Sequence, residues 1–452
     1  MGGPGPAPAI PRSAREAALE VLHRVDAHQA FSGVLLRRVL ERAGLSAADE
    51  ALAAELTLGT LRHRAEVDWA LSHASHTPLD DLPSRIRAVL RMGAYTLMFL
   101  DRIPAAAACS QAVELAKRAG HRGTARLVNA VLRRVAAAPE AIPEDVSTPE
   151  GIALRHSHPL WLVRRWVDRF GVDEARALCR TNNVAPPASV RLNTLRGTPA
   201  SVAAAIDALG VATAPSTLAP EGARIVQASS HARRAAYAEG WVSPQDEGSM
   251  LVSRLVAPRP GETVVDTCAG SGGKAMHLAA LMENQGRVIA ADIVPAKLAA
   301  TARHAQRLGV TIVEARLLAA GSLTDVLPAG ADRVLVDAPC SGLGVLRRRP
   351  EIRWRIQPEQ LSVLAARQRA IVEDASAAVR PGGLLVFSVC TLEPEEGPAV
   401  VAGFLDAHPE FDPEPIDGAV FAPVSRAPGR AFLYPHLHGT DGFFVAVCRR
   451  RL

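Results

Sequence analysis

At 452 residues, with 48% apolar and 21% charged positions, the chain has room for about three domains with ordinary buried cores. That balance excludes a disordered or fibrous protein, and the longest apolar runs, 94–100 and 384–387, are far short of a membrane span. A net charge of +5 favours a polyanionic partner, and six cysteines (109, 179, 268, 340, 390, 448) without a C-x-x-C pair exclude a disulfide framework or structural zinc site.

Residues 1–12 are Gly/Pro-rich, read as a disordered tail, and lack the pattern of a signal peptide. Together with the dispersed cysteines this points to a reducing, cytoplasmic setting. Ser13-Ala-Arg-Glu16 predicts a capping box opening a helix with Leu19, Leu22 and Val25 on its apolar stripe. Helical periodicity continues through 34–42, 47–73, 84–100, 105–119 and 123–137, punctuated by Pro78, Pro83 and Pro104, with Gly120 at a helix end. Residues 13–138 are therefore expected to form an all-α domain.

Residues 139–150 are acidic and Pro-rich, the composition of a linker. A small α+β module is predicted over 151–242: helices at 159–166, 172–182 and 199–209, strands at 189–193, 223–227 and 239–242. From 243 to 452 strands and helices alternate. Strands are expected at 263–266, 287–292, 311–314, 333–337, 384–389 and 443–448, and helices at 273–283, 295–308, 358–379 and 398–407. Such alternation implies a mostly parallel, doubly wound α/β sheet.

The organising stretch is 261–296. A strand runs into a turn with Gly270, Gly272 and Gly273, then a helix, then a strand ending at Asp292. Glycines let a backbone approach a ligand, the helix offers unpaired N–H groups, and a carboxylate about 20 residues on meets ribose hydroxyls. An adenosine-containing cofactor is implied. The spacing is neither a Walker A loop nor G-x-G-x-x-G, so S-adenosylmethionine (SAM) fits better than NAD, which the turn alone leaves open.

Two later strands decide the chemistry. One ends in Asp337-Ala-Pro-Cys340 and the other in Cys390. Ligands and reactive groups of open α/β sheets gather at the carboxyl ends of strands. Two cysteines beside a methyl donor suit methylation of cytosine at C5, a carbon with no lone pair to attack with. A thiolate adding to C6 makes C5 nucleophilic, and a second group then assists release. Only roughly 3% of an unperturbed thiol is ionised at pH 7, so the site must favour the thiolate. Lys274 and the arginines after Cys340 are both candidates for that role.

Cys268-Ala-Gly-Ser-Gly-Gly-Lys274, Asp337-Ala-Pro-Cys-Ser341, Arg348-Arg-Pro-Glu-Ile-Arg-Trp354, Cys390-Thr-Leu-Glu-Pro-Glu-Glu396 and Thr440-Asp-Gly-Phe-Phe-Val-Ala446 together resemble the Sun/NOP family of RNA cytosine-C5 methyltransferases. Residues 106–118 and 124–134 resemble the signature of NusB-like RNA-binding domains, so the likeness spans nearly the whole chain. It implies a class I SAM methyltransferase domain with a Rossmann-like sheet, and RNA as substrate, 16S rRNA above all; a monomer without a metal is the separate expectation.

By the resemblance Cys390 is the nucleophile, Cys340 assists product release, and residues Cys268, Ala269, Gly270, Ser271, Gly272, Gly273 and Lys274 hold SAM. Asp292 binds its ribose, and Asp337 sits between methyl donor and flipped cytosine. Expected RNA contacts are Arg347, Arg348, Arg349 and Arg353, with Lys117, Arg118 and Arg133 in the helical domain; Arg355, Arg122, Arg126 and Arg134 extend these two sets. The chain departs from the family pattern at Gly270-Ser271, at Ala315-Arg316-Leu317 where an acid usually meets adenine, at Val389 and at Gly397. These departures motivate a second reading: an rRNA assembly factor of the same fold with reduced activity.

Overall fold

The computed structural model describes residues 10–28, 30–137, 142–143, 145–318, 323–327, 329–416 and 425–452. The expected disordered tail therefore lies, through residue 9, outside the described residues, as do 139–141 and 144 of the expected linker. The chain forms two compact units: residues up to 185 with 346–356, and residues 186–345 with 357–452.

The first unit is helical: α1 (Ala14–His28), α2 (Ser32–Ala43), α3 (Ala47–Arg62), α4 (Arg64–Ala74), α5 (Ser84–Phe99), α6 (Ala105–Ala119), α7 (Arg122–Ala137), α8 (Pro149–Arg155), α9 (Leu160–Phe170) and α10 (Val172–Asn182). Leu56, Leu71, Ile86, Leu90 and Leu132 are fully buried in its core, the outcome of apolar stripes at helical spacing. The single helix expected at 47–73 is two, because His63 leaves helical geometry (φ −102°, ψ 22°). Half of the expected capping box forms. The Glu16 N–H donates to Ser13 Oγ at 3.3 Å, but the Glu16 carboxylate accepts from the Arg12 N–H at 2.7 Å. Trp166 is 1% exposed, a packing anchor.

A clip from far along the chain, residues 346–356, belongs to this unit. It contains a one-turn helix, Ile352–Arg355. Glu351 accepts from the Ser32 N–H (3.0 Å) and hydroxyl (2.7 Å), and Trp354 Nε1 donates to the Leu61 carbonyl at 3.2 Å.

The second unit opens with β1 (Ser189–Leu192), α11 (Pro199–Asp207), β2 (Val211–Pro215), β3 (Gly222–Ala228), α12 (Ser230–Ala238) and β4 (Val242–Pro244), giving an antiparallel sheet of order β2-β3-β1-β4. Strand β2 was not expected: its sequence, Val-Ala-Thr-Ala-Pro, has too little alternation to read as a strand.

Then follow α13 (Glu247–Leu255), β5 (Thr263–Asp266), α14 (Gly273–Leu281), β6 (Arg287–Asp292), α15 (Pro295–Leu308), β7 (Val313–Leu317), β8 (Ala331–Asp337), α16 (Pro358–Ala377), β9 (Val379–Val389), α17 (Pro398–Ala407), β10 (Phe411–Pro413), β11 (Ser425–Ala427), β12 (Arg430–Leu433) and β13 (Phe443–Arg450). The sheet order is β11-β12-β13-β9-β8-β5-β6-β7, with β10 on β13. Strands β5 to β9 pair in parallel, while β13 joins β9 antiparallel. Alternate residues pack two faces: Val264, Val288 and Leu335 on one, Val265, Ile289 and Val334 on the other. Strand β7 begins later than expected because the Thr311 N–H bonds Asn284 Oδ1 (2.9 Å), keeping 311–312 in the connection. The strand order reverses between β5 and β8, so a topological switch point opens at the carboxyl ends of those two strands.

Candidate active site and nucleic-acid interface

At the switch point β5 ends in Asp266 and the chain turns through 267–272 into α14. Gly270 (φ +59°) and Gly272 (φ +85°) occupy left-handed backbone conformations. A Cβ on Gly272 would also stand 2.8 Å from Thr301. The turn is fastened to its neighbours: the Gly270 N–H donates to Asp292 Oδ2 (2.9 Å), the Ala269 N–H to the Ala291 carbonyl (2.9 Å), and the Ser271 carbonyl lies 2.8 Å from His304 Nδ1. On its other side it is open. A Cβ on Gly270 or Gly273 would meet nothing within 4 Å, and α14 points its N-terminus there. Asp292 closes β6 beside this turn and also accepts from the Val294 N–H (2.9 Å) and Lys297 (3.3 Å).

Asp337 ends β8, directly opposite Ser388 of β9 in the register. Its two oxygens are held separately, one by Lys274 Nζ at 2.6 Å and the other by Ser388 Oγ at 2.7 Å. Burial opposes the charge on Lys274, but Asp337 outweighs it and leaves the ammonium above its ordinary value. Asp266 is fully buried, and one of its carboxylate oxygens has no hydrogen-bond partner among the described residues. Burial first, then the charge of Asp337, push it up to about 7.

The two cysteines expected to meet do so: Cys340 Sγ lies 3.3 Å from Cys390 Sγ, although the residues are 50 apart in sequence. The hydrogen bond to Cys390, followed by burial, holds the Cys340 thiol well above its ordinary value. Cys268 is a different case. Burial pushes it up to about 12, so it is a neutral part of the turn.

The glycine turn, Lys274, Asp292, Asp337, Cys340 and Cys390 therefore all gather at the carboxyl ends of β5, β6, β8 and β9. Sequence reasoning missed Ser388 and Arg191. Arg191 is buried, and its guanidinium donates to the Gly273 carbonyl (2.9 Å) and to Gln245 Oε1. The signal for Ser388 was available, since it lies two residues before Cys390 on one strand. Arg191 had none beyond being a charge inside an apolar strand. At the departing third strand, Glu314 is taken up by Arg287 and Arg316, and Leu317 is 49% exposed.

The arginines after Cys340 require a correction. Arg353, expected to clamp RNA phosphates, is 0% exposed and donates to Ser157 O (3.0 Å), Asn183 Oδ1 (2.7 Å) and Asn182 O (3.2 Å). Arg347 is buried as well. Neither side chain is available to a phosphate: the clip that carries them packs into the helical unit. Arg349 is exposed and lies with Arg355 over the Phe31 ring. In contrast, α6 and α7 border a groove of about 1060 Å³ with Lys117, Arg122, Arg126 and Arg133 along it and small side chains such as Ala106 and Ala125 in its floor. Lys117 pairs with exposed Glu114 at 2.6 Å, Arg118 pairs with Glu16, and Arg134 donates to the Ala74 carbonyl.

Three family descriptions match the chain: 16S rRNA methyltransferase RsmB/F over residues 253–449, the NusB family over 12–137, and the ferredoxin-like domain of RsmF/B-like methyltransferases over 158–231. The chain is 35% identical over 450 residues to the probable ribosomal RNA small subunit methyltransferase B of Bacillus subtilis (strain 168), covering 97% of this chain and 99% of that one. It is 37% identical over 437 residues to the ribosomal RNA small subunit methyltransferase B of Thermus thermophilus, covering 96% and 97%. Among solved structures, PH0851 matches with a TM-score of 0.84 at 25% identity, over 98% of this chain and all of that one (100%). NSun6 from Pyrococcus horikoshii with SFG shares the fold, with a TM-score of 0.57 at 23% identity over 65% of this chain and 98% of that one.

Proposed function

The chain belongs to the ribosomal RNA small subunit methyltransferase B family, and on that premise we propose that it methylates C5 of a cytosine in 16S rRNA through a covalent cysteine–C6 adduct, with SAM as donor. The observation that carries this reading is the 3.3 Å thiol pair beside the Lys274–Asp337 ion pair at the switch point of the sheet.

The open side of the glycine turn, the N-terminus of α14 and the Asp292 carboxylate fit the methionine and ribose ends of SAM. When bound there, SAM supplies an electrophilic methyl group. Cys390 would add its sulfur to C6 of the base, and the C5–C6 π electrons would form the new bond from C5 to the methyl carbon, the electron pair of the broken methyl–sulfur bond staying on the departing thioether. Asp337 is immobilised by Lys274 and Ser388, and its carboxylate accepts from the amino group of the base. Elimination then needs the C5 proton removed, which re-forms the double bond and expels the Cys390 thiolate. Cys340 is suited to that later step. The hydrogen bond to Cys390 and burial both keep Cys340 protonated, and formation of the Cys390–C6 bond removes the first of these two restraints before the proton must leave C5. The base must leave its stack to reach the thiol, at a cost of a few kcal/mol, roughly, which favours an unpaired cytosine.

RNA is engaged in this reading by the α6–α7 groove through Lys117, Arg126 and Arg133, with Arg118 at its edge. Tritiated SAM with unmodified 16S rRNA tests the reaction. Wild type is expected to label C5, Cys390→Ala to give neither product nor adduct, and Cys340→Ala to accumulate an RNA adduct on denaturing gels. Tight rRNA binding with no label under saturating SAM would sink the enzyme reading and leave an assembly factor.

A further inference from the structure

Glu396 is 0% exposed, and no step above uses it. Its oxygens accept from the Ser341 N–H at 2.8 Å, the Ser341 hydroxyl at 2.5 Å and Gln368 Nε2 at 3.1 Å. The Ser341 hydroxyl also lies 3.0 Å from Thr391 Oγ1. Ser341 follows Cys340, and Thr391 follows Cys390. One buried carboxylate thus grips the residues next to both thiols. Gln368, on α16, completes the arrangement by donating to the Pro339 carbonyl at 3.0 Å, so the backbone is held on either side of Cys340.

Burying a carboxylate costs several kcal/mol, roughly, unless donors meet it, and three donors converge on this one. Burial also raises Glu396 above the ordinary carboxylate value, with Ser341 and Gln368 opposing the shift. Backbone bonds also join the same turns: the Gly344 N–H donates to the Cys390 carbonyl (2.9 Å) and the Gly442 N–H to the Gly344 carbonyl (2.8 Å). The first of those bonds ends on Cys390 itself; Glu396 adds a side-chain link, to Ser341 directly and to Thr391 through the Ser341 hydroxyl.

We propose that Glu396 is a positioning residue that sets the spacing of the Cys340 and Cys390 thiols by clamping the turns that follow both strands. Its catalytic consequence rests on the methyltransferase reading; its geometric consequence does not. The test uses phenylarsine oxide, whose arsenic forms two As–S bonds with a closely spaced dithiol and releases its oxygen as water. Wild type is expected to take up one equivalent that requires both cysteines, with Cys340→Ala and Cys390→Ala as negative controls. Glu396→Ala is expected to weaken uptake at least tenfold, while Glu396→Gln, which keeps an acceptor for the Ser341 N–H, recovers most of it. In methyl transfer Glu396→Ala is expected to lower kcat and leave the KM for SAM unchanged. Should Glu396→Ala fail to fold, Ser341→Ala and Thr391→Val each remove one arm and are expected to weaken uptake separately. Wild-type uptake in folded Glu396→Ala, or in both single-arm variants, would overturn the proposal. Glu396-dependent uptake by a wild type unable to methylate RNA would leave the clamp standing and remove the methyltransferase reading.

Discussion

Arg126 and Arg133 stand at the surface along the α6–α7 groove, whereas Arg347 and Arg353, drawn from an equally basic stretch, are buried within the same helical unit. On α6 and α7 the basic residues recur on the face opposite Ala112, Ala116, Val128 and Leu132, and the apolar stripe decides which side turns inward. In the clip the order is reversed. Ile352 and Trp354 are too few to form a stripe, and Arg353 goes inside because three acceptors await it there. A run of arginines therefore describes a surface only when the neighbouring residues already say which way the element faces.

The stability side of this contrast breaks first at Arg353. Arg353→Ala strands the Ser157 and Asn182 carbonyls and the Asn183 side chain, and is expected to cost about 3–5 kcal/mol in urea unfolding. A loss below about 1 kcal/mol, as for a surface position, would restore the phosphate-clamp reading.

A smaller effect on stability is expected at Asp266, the counterpart of Arg353 with an oxygen unmet. Its folded value of about 7 lies above the ordinary 3.8, so between those pH values the folded protein keeps a proton that the unfolded chain has released. The stabilisation is complete below the unfolded value and is lost as pH rises through about 7. Measured against Asp266→Asn from pH 4 to 8, the Tm of wild type should fall relative to the variant up to about pH 7 and then level off. A difference that stays flat over this range would show that Lys274 and the Cys268 N–H outweigh burial and leave Asp266 ionised throughout.

The exposed arginines should matter least to folding and most to RNA. Replacing Lys117, Arg126 and Arg133 together by Ala is expected to leave unfolding within about 0.5 kcal/mol per site. Binding of 16S rRNA fragments should weaken roughly tenfold or more, and the slope of log K against log salt should fall by about 2–3. Arg349→Ala, exposed but on the clip, serves as the comparison. If it flattens the salt slope as much as the triple variant does, the clip rather than the groove meets the phosphates.

Much of the candidate site was legible in the chain. Strands β5, β6, β8 and β9 read as largely apolar runs that end in, or lead directly into, a polar or sulfur-bearing residue, and parallel strands bring such ends to one edge. The meeting of Cys340 and Cys390 follows from that rule, because β8 and β9 are neighbours in register. The groups that hold this edge in place were not legible. Ser388 aside, Gln368, Glu396 and Arg191 are ordinary polar residues until a partner arrives, and the short β2, β10, β11 and β12 carry too little periodicity to announce themselves.

Local patterns were enough to determine the helical and α/β character of the two units, the glycine turn and the sheet edge that holds the candidate site. Backbone preference and side-chain alternation act over a few residues, and those features need nothing more. Which charges would be solvated was decided only in three dimensions. Arg353 meets Ser157 across 196 positions of chain, and the cost of burying a charge depends on whatever packs over it.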